Sequence, residues 1–167
     1  MPGRARVDLK GADAALRAAL RLLAARSRSR QELRIALQRR GFSASRQNAT
    51  LARLDSLGYL DDRRFARQRA ATLLSGGFGP RAVVGRLIAQ GLSDEEARRG
   101  LRDGESQVGF DELESARTLL RKRQLEGAKD RKSSARAVRL LAARGFSETV
   151  IERLTGELPL DPEGQCD

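Results

Sequence analysis

Side chains able to do covalent or acid–base chemistry are scarce in this 167-residue chain. It has no histidine, which removes the commonest general base and an abundant metal ligand. The one cysteine, Cys166, stands near the carboxyl end. No disulfide within the chain and no thiolate metal cluster can form, so a reducing, cytoplasmic setting is the natural reading. Asp61 and Asp62 are adjacent carboxylates of the kind used in metal or acid–base sites, but no third ligand of suitable type stands nearby. At the start of a helical pattern they read first as partners of the positive helix end. Serines and threonines lack a histidine or a buried lysine to activate them. Gly76-Gly77-Phe78-Gly79-Pro80 has the glycines of a phosphate loop without the Gly-Lys-Ser/Thr ending or a preceding strand. It reads as a bend, with Pro80 in the first turn of the next helix. No catalytic residue, metal ligand or cofactor is assigned, and the chain reads as non-enzymatic.

Cations are abundant instead. Thirty-three Lys and Arg oppose 22 Asp and Glu, for a net charge of +11. Residues 1–60 hold 13 bases against 4 acids, residues 61–105 hold 9 against 7, and residues 106–167 hold 11 against 11. The last balance conceals a basic stretch, because the segment 156–167 carries four acids and no base. A localised excess of this sign concentrates polyanions and speeds their encounter, so nucleic acid or an acidic protein surface is the expected partner. Arginine outnumbers lysine 29 to 4, which suits bidentate contact with phosphates or carboxylates and equally suits a GC-rich coding bias. The candidate contacts are Arg26, Arg28, Arg30, Arg34, Arg39 and Arg40, then Arg81 and Arg86. In the last third they are Arg121, Lys122, Arg123, Arg131, Lys132, Arg136, Arg139 and Arg144. Their equivalent placement predicts one basic stripe along the molecule, weighed against the ordinary reading of surface arginines as a solvated face.

Elements that would position these cations follow from a repeat. Gly-(Phe/Leu)-Ser occurs at Gly41-Phe42-Ser43, Gly91-Leu92-Ser93 and Gly145-Phe146-Ser147, 50 and 54 residues apart. Each glycine reads as a helix-ending residue and each serine as the next N-cap. Leu37, Leu87 and Leu141 lie four residues before the glycines, and Leu33, Val83 and Ala137 eight before, forming one helical stripe. A second stripe follows each serine: Leu51, Leu54 and Leu57; Ala97 and Leu101; Val150, Ile151 and Leu154. Ser93 and Glu96 spell a capping box. A third helix precedes each pair, on Leu16, Leu20 and Leu23; on Phe65, Ala66, Ala70 and Leu73; and on Leu113, Ala116 and Leu120.

The expected fold is all-α, three tandem three-helix repeats forming an elongated, curved array. A flexible segment 1–13 precedes repeats at 14–59, 60–104 and 105–155, and 156–167 is an acidic flexible tail. Residues 103–110 read as a link between repeats and Gln124 to Asp130 as a looser link inside the third. Neither a secretory h-region nor an apolar run of membrane-spanning length is found.

The segment Leu57-Gly58-Tyr59-Leu60-Asp61-Asp62-Arg63-Arg64-Phe65-Ala66, then Gly79-Pro80-Arg81 and Gly91-Leu92-Ser93, resembles the signature of the RecX family of recombination regulators. Ala18 to Leu37, containing Ser27 to Leu33, resembles the family's opening repeat. Asp130-Arg131-Lys132 through Ser147 resembles its last, so the likeness covers about residues 14–155. It implies a monomeric helical-repeat protein that binds the RecA recombinase and lies in the groove of the RecA–DNA filament. There it would inhibit filament growth, strand exchange and ATP hydrolysis in homologous recombination, DNA repair and the SOS response. DNA, single- or double-stranded, is expected as a weak and salt-sensitive second partner. Within the signature, Tyr59, Leu60, Asp61, Asp62, Phe65, Gly79 and Pro80 read as mainly structural, with Tyr59, Leu60 and Phe65 expected as core at a repeat junction. One departure is Gln47-Asn48, where the family often has an aliphatic residue; it weakens a buried face or places a polar contact there. The other reading is a non-specific helical DNA-binding protein, since three-helix units with a helix-turn-helix resemble DNA-reading modules. A scaffold unrelated to DNA would leave the basic amino end idle.

Overall fold

The computed structural model describes residues 3–127 and 130–156, with side chains from Asp13 onward. Among the described residues the chain is all-helical: α1 Gly3–Ala25, α2 Arg30–Gln38, α3 Ala44–Ser56, α4 Asp62–Ser75, α5 Pro80–Ala89, α6 Asp94–Val108, α7 Glu112–Lys122, α8 Arg131–Arg144 and α9 Glu148–Thr155. Cys166, Lys129 and the acids beyond residue 156 lie outside that range.

The thrice-written turn does what its residue types dictate. Gly41, Gly91 and Gly145 adopt φ of 79°, 90° and 78°, a region an L side chain avoids. In each case the following amide bonds back to the carbonyl four residues before the glycine: Phe42 to Leu37, Leu92 to Leu87, Phe146 to Leu141. Ser43 and Ser93 then cap α3 and α6 through their hydroxyls. Ser147 caps α9 without a side-chain bond; its amide instead donates to Glu112 of α7 at 2.6 Å.

Three hydrophobic clusters follow in series. The first joins Leu33, Leu37, Leu51, Leu54 and Leu60; the second Phe65, Leu74, Val83, Leu87 and Ala97; the third Leu120, Leu141, Phe146 and Ile151. Leu33, Leu37, Val83, Leu87, Leu141 and Ala137 are all essentially inaccessible, so the stripe before each glycine is core. The clusters run slightly out of phase with chain order, since Leu60 packs into the first and Phe110 against the second.

Several sequence expectations need correction. Helix α1 begins at Gly3, within the stretch read as frayed; Arg4, Ala5, Leu9 and Lys10 are good helix formers. On α1 the buried positions are Ala15, Ala18 and Ala19, while Leu16, Leu20 and Leu23 pack at the margin. The link expected over 103–110 is helical through Val108. Its Gly100 and Gly104, one turn apart, let α6 lie directly on Ala66 and Ala70 of α4, where a Cβ on either glycine would fall inside 3 Å. Burial against α4 overrides the poor helix propensity of glycine. Finally, Gly58 at φ 72° turns the backbone so that Leu60 enters the core while Leu57 and Tyr59 remain 54% and 58% exposed. Leu57 therefore leaves the second stripe, and Tyr59 is surface rather than core.

Two junctions hold the units in order, and both reuse the glycine turn. In the first, Gly91 lies so close to Gln31 of α2 that a Cβ would overlap it. The buried Ser29 hydroxyl donates to the Gln90 carbonyl at 2.5 Å. In the second, Gly145 lies against the Ala82 backbone of α5. There the Gly79 amide donates to the Arg144 carbonyl at 2.8 Å and the Arg81 amide to the Gly145 carbonyl at 3.1 Å. Each junction thus seats a middle helix's N-terminus on the next unit's turn. Around Gly41 a Cβ would meet none of the described residues within 4 Å.

Candidate partner and nucleic-acid interface

The cations expected to form a stripe are sorted by local geometry into spent and available groups. Arg26 makes a two-point contact with Glu32 at 3.0 and 3.1 Å; Glu32 also completes the capping box of α2 with Ser29. Burial opposes the ionisation of Glu32, yet the Arg26 side chain and the Ser29 amide together hold its pKa below the ordinary carboxylate value. Arg30 binds Asp55 at 2.6 Å and faces Asp62 at 4.0 Å. Arg81 pairs with Glu148 across the second junction at 2.8 Å. Arg121 is shared by Glu114 at 2.9 Å and Glu126 at 3.4 Å. These pairs are largely exposed, so each contributes little stability, but each has its charge answered.

Arg86 and Arg144 take a different course. Their guanidinium carbons stand 4.1 and 4.8 Å from the Phe78 ring centre, so residues of two units clasp one aromatic ring. Such contacts contribute about 0.5–1 kcal/mol at exposed sites. The Gly76–Pro80 bend accordingly serves the junction: Gly76 and Gly77 end α4, Phe78 receives the arginines, Gly79 bonds the next unit, and Pro80 opens α5.

Available cations are densest in the first and third units. Arg34 and Arg39 are exposed without an acidic partner among the described residues, and Arg40 donates only to the Ala36 carbonyl of its own helix at 3.0 Å. Lys122 and Arg123 at the end of α7 and Arg136 and Arg139 on α8 line one open cavity of about 540 Å³ with Gln124, Leu125 and Leu140. Among the described residues no acidic side chain lines it, so four positive groups converge there. Arg131 and Lys132 lie exposed on the first turn of α8. In the middle unit Arg63, Arg98 and Arg99 are paired to Asp103, Asp94 and Glu95, while Arg64 and Arg67 are exposed without an acidic partner among the described residues.

Asp61 caps α4 as expected, accepting from the Arg64 amide at 2.8 Å. Asp62 does something the sequence did not disclose: it reaches back to accept the Arg30 amide, the first of α2, at 2.8 Å. Burial raises its pKa, against the lowering effect of that amide and the Arg30 guanidinium. Gln47 makes the polar contact its position invited, donating to the Phe42 carbonyl at 2.7 Å from a buried site. Sequence reasoning also passed over Arg69 Nε and Gln90 Oε1, both buried without a hydrogen-bond partner; an orphan of this kind costs about 1–3 kcal/mol. The signal that was available is Ser29-Arg30-Gln31-Glu32, a second capping box identical in form to Ser93–Glu96.

With this geometry in place, known proteins of similar sequence and shape can be set beside it. The family pattern described as "RecX, first three-helix domain" matches residues 15–54. The regulatory protein RecX of Mycolicibacterium vanbaalenii is 34% identical over 171 residues, spanning 97% of this chain and 92% of its own. That of Thermus thermophilus is 38% identical over 132 residues, 79% of this chain and 83% of its own. The crystal structure of RecX from Lactobacillus salivarius superposes with a TM-score of 0.71 at 20% identity, covering 87% of this chain and 94% of that one. That last likeness establishes shared fold.

Proposed function

Because this chain belongs to the RecX family of regulatory proteins, we propose that it regulates by lying along a RecA–DNA filament and restraining the filament's growth, strand exchange and ATP hydrolysis. The observation that carries this reading is the distribution of unanswered charge. Arg34, Arg39 and Arg40 stand in the first unit, Arg64 and Arg67 in the second, and Lys122, Arg123, Arg136 and Arg139 in the third, so cations without an acidic partner among the described residues recur along the array. A protein with basic patches recurring along its length suits a long, repeating target better than a single pocket does. Linking the patches makes the second contact intramolecular, so modest affinities multiply. Docking of this kind bridges neighbouring subunits and obstructs the DNA path or the motion coupled to hydrolysis. The patches would draw on phosphates or on an acidic protein face, and attraction to either weakens with salt.

The decisive measurement is RecA-catalysed ATP hydrolysis on single-stranded DNA with increasing amounts of this protein. The reading expects slowing at sub-stoichiometric ratios; unchanged hydrolysis at every ratio overturns it. Charge reversal at Arg39 and Arg40 should weaken filament binding at low salt. Comparable affinity for bare DNA and for filaments would favour a non-specific DNA binder instead.

A further inference from the structure

Two adjoining depressions open where the first unit meets the second. One, of about 520 Å³, is bordered by Leu20, Leu23, Ala24, Tyr59, Arg28 and Arg64. The other, of about 430 Å³, holds Arg26, Arg69, Thr72 and Gln90. Ser27, Phe65 and Gln68 line both, so they run into one another. Each lies within the volume range of small-ligand sites.

The chemistry of the two halves differs. The first offers aliphatic side chains beside an aromatic ring that is more than half exposed. The second is lined by Arg69 and Gln90, whose Nε and Oε1 atoms lie buried behind its surface without a partner. Arg26 and Arg28 stand at the margin, and Arg28 feels burial and the like charges of Arg26 and Arg40 strongly enough that its pKa is lowered. An anion placed there relieves that repulsion. Two acids stand there: Asp61 lines the first depression and accepts the Arg64 amide, and Glu32 holds Arg26 and the Ser29 amide.

We propose that this seam is a single-stranded nucleic-acid subsite, in which one unstacked base lies against Tyr59 and the Leu20–Leu23 surface while an adjacent phosphate takes the Arg69 and Arg28 guanidinium groups. An unstacked base presents the flat face that an exposed ring receives, whereas a duplex base keeps its faces against its neighbours. An apolar peptide anchor would use the ring and the aliphatic wall but leave the Arg69 donor unanswered. The inference rests on the DNA-contact part of the function proposed above and gives it a place. That place is apart from the basic patches of α2 and of α7 and α8.

The test uses a property of the composition: the chain has one tyrosine and no tryptophan, so its tyrosine emission reports this site alone. The full-length protein is titrated with an oligothymidylate of about 12 nucleotides, within the usual span of a single-strand site, and with an abasic strand of equal length. Oligothymidylate should quench the emission saturably and the abasic strand should not. In an anisotropy assay Tyr59→Ala should weaken oligothymidylate binding roughly 5- to 150-fold, the range of one base stack. Tyr59→Phe keeps the ring and should bind like the parent, which guards against a folding artefact; Arg69→Ala should weaken both strands. Binding without quenching, equal affinity of Tyr59→Ala, or quenching by RecA alone but not by oligothymidylate each overturn the subsite. RecA is absent from the oligonucleotide arms, so quenching without inhibition of hydrolysis refutes the filament reading only. Inhibition without quenching refutes the subsite only.

Discussion

Replacing Gly145 by alanine should uncouple the second and third units, and Gly41 supplies the control. Both residues hold φ near +79°, so each substitution carries the left-handed backbone strain of about 1–2 kcal/mol. At Gly41 none of the described residues lies within 4 Å of the new methyl, and the effect stops there. At Gly145 the methyl falls on the backbone nitrogen and Cβ of Ala82, so the start of α5 must withdraw. Withdrawal removes two bonds, Gly79 amide to Arg144 carbonyl and Arg81 amide to Gly145 carbonyl. At about 0.5–1.5 kcal/mol net apiece, Gly145→Ala should be the more destabilising of the two by about 1–3 kcal/mol. Equilibrium urea unfolding of both variants measures the difference. Amide exchange locates it: Gly79 and Arg81 should exchange roughly 5- to 150-fold faster in Gly145→Ala and unchanged in Gly41→Ala. Equal destabilisation of the two variants, with undisturbed exchange at Gly79 and Arg81, would refute the account of the junction.

Asp62→Ala should cost about 1 kcal/mol in urea unfolding, the usual worth of an N-terminal helix partner, because the Arg30 amide loses its acceptor. Asp62→Asn keeps an acceptor and discards a charge that burial disfavours, so it should unfold close to the parent. The double variant Arg136→Ala/Arg139→Ala should reduce the salt dependence of single-strand binding by up to about 1.4 in log–log slope, and an unchanged slope would remove the α8 cavity from the interface. Hydrogen bonds hold the Glu32 and Glu96 pKa values below the ordinary 4.5 in the folded chain. The stability they add is therefore complete above that value and lost as pH falls through the lowered folded pKa. Thermal unfolding should show that loss, and Glu96→Gln should flatten the acid limb.

Legibility followed the range of the interactions involved. Helix ends were readable because they depend on neighbours in sequence: a left-handed glycine, a serine or aspartate cap, a leucine four residues back. The buried stripes were readable for the same reason, since Leu33 and Leu37 or Val83 and Leu87 lie on one helical face. Tyr59 was misplaced because exposure after Gly58 depends on which of two consecutive residues, Tyr59 or Leu60, the turn directs inward. Gly104 fell inside the link read over 103–110, because nothing local announces that α4 rests on it and on Gly100. Among the cations, charge alone could not separate Arg81, answered by Glu148 from 67 residues away, from Arg139, whose cavity no acid among the described residues lines. Partners at that distance are a product of packing, and no spacing rule announces them.

The two junctions also give the array a sense of direction. Each is made of unlike halves, a helix start with a small cap residue, Ser29 or Gly79, and a glycine turn from the unit that follows. Flipping one unit end for end would set turn against turn or start against start, so successive units must point the same way. Length, by contrast, is modular. The turn at Gly41 has room around it, and a unit grafted ahead of the first, carrying its own small-capped middle helix, would find there the counterpart that Ser29 finds at Gly91. The fold behaves like a ruler extensible at its leading end by whole divisions, with the existing marks undisturbed.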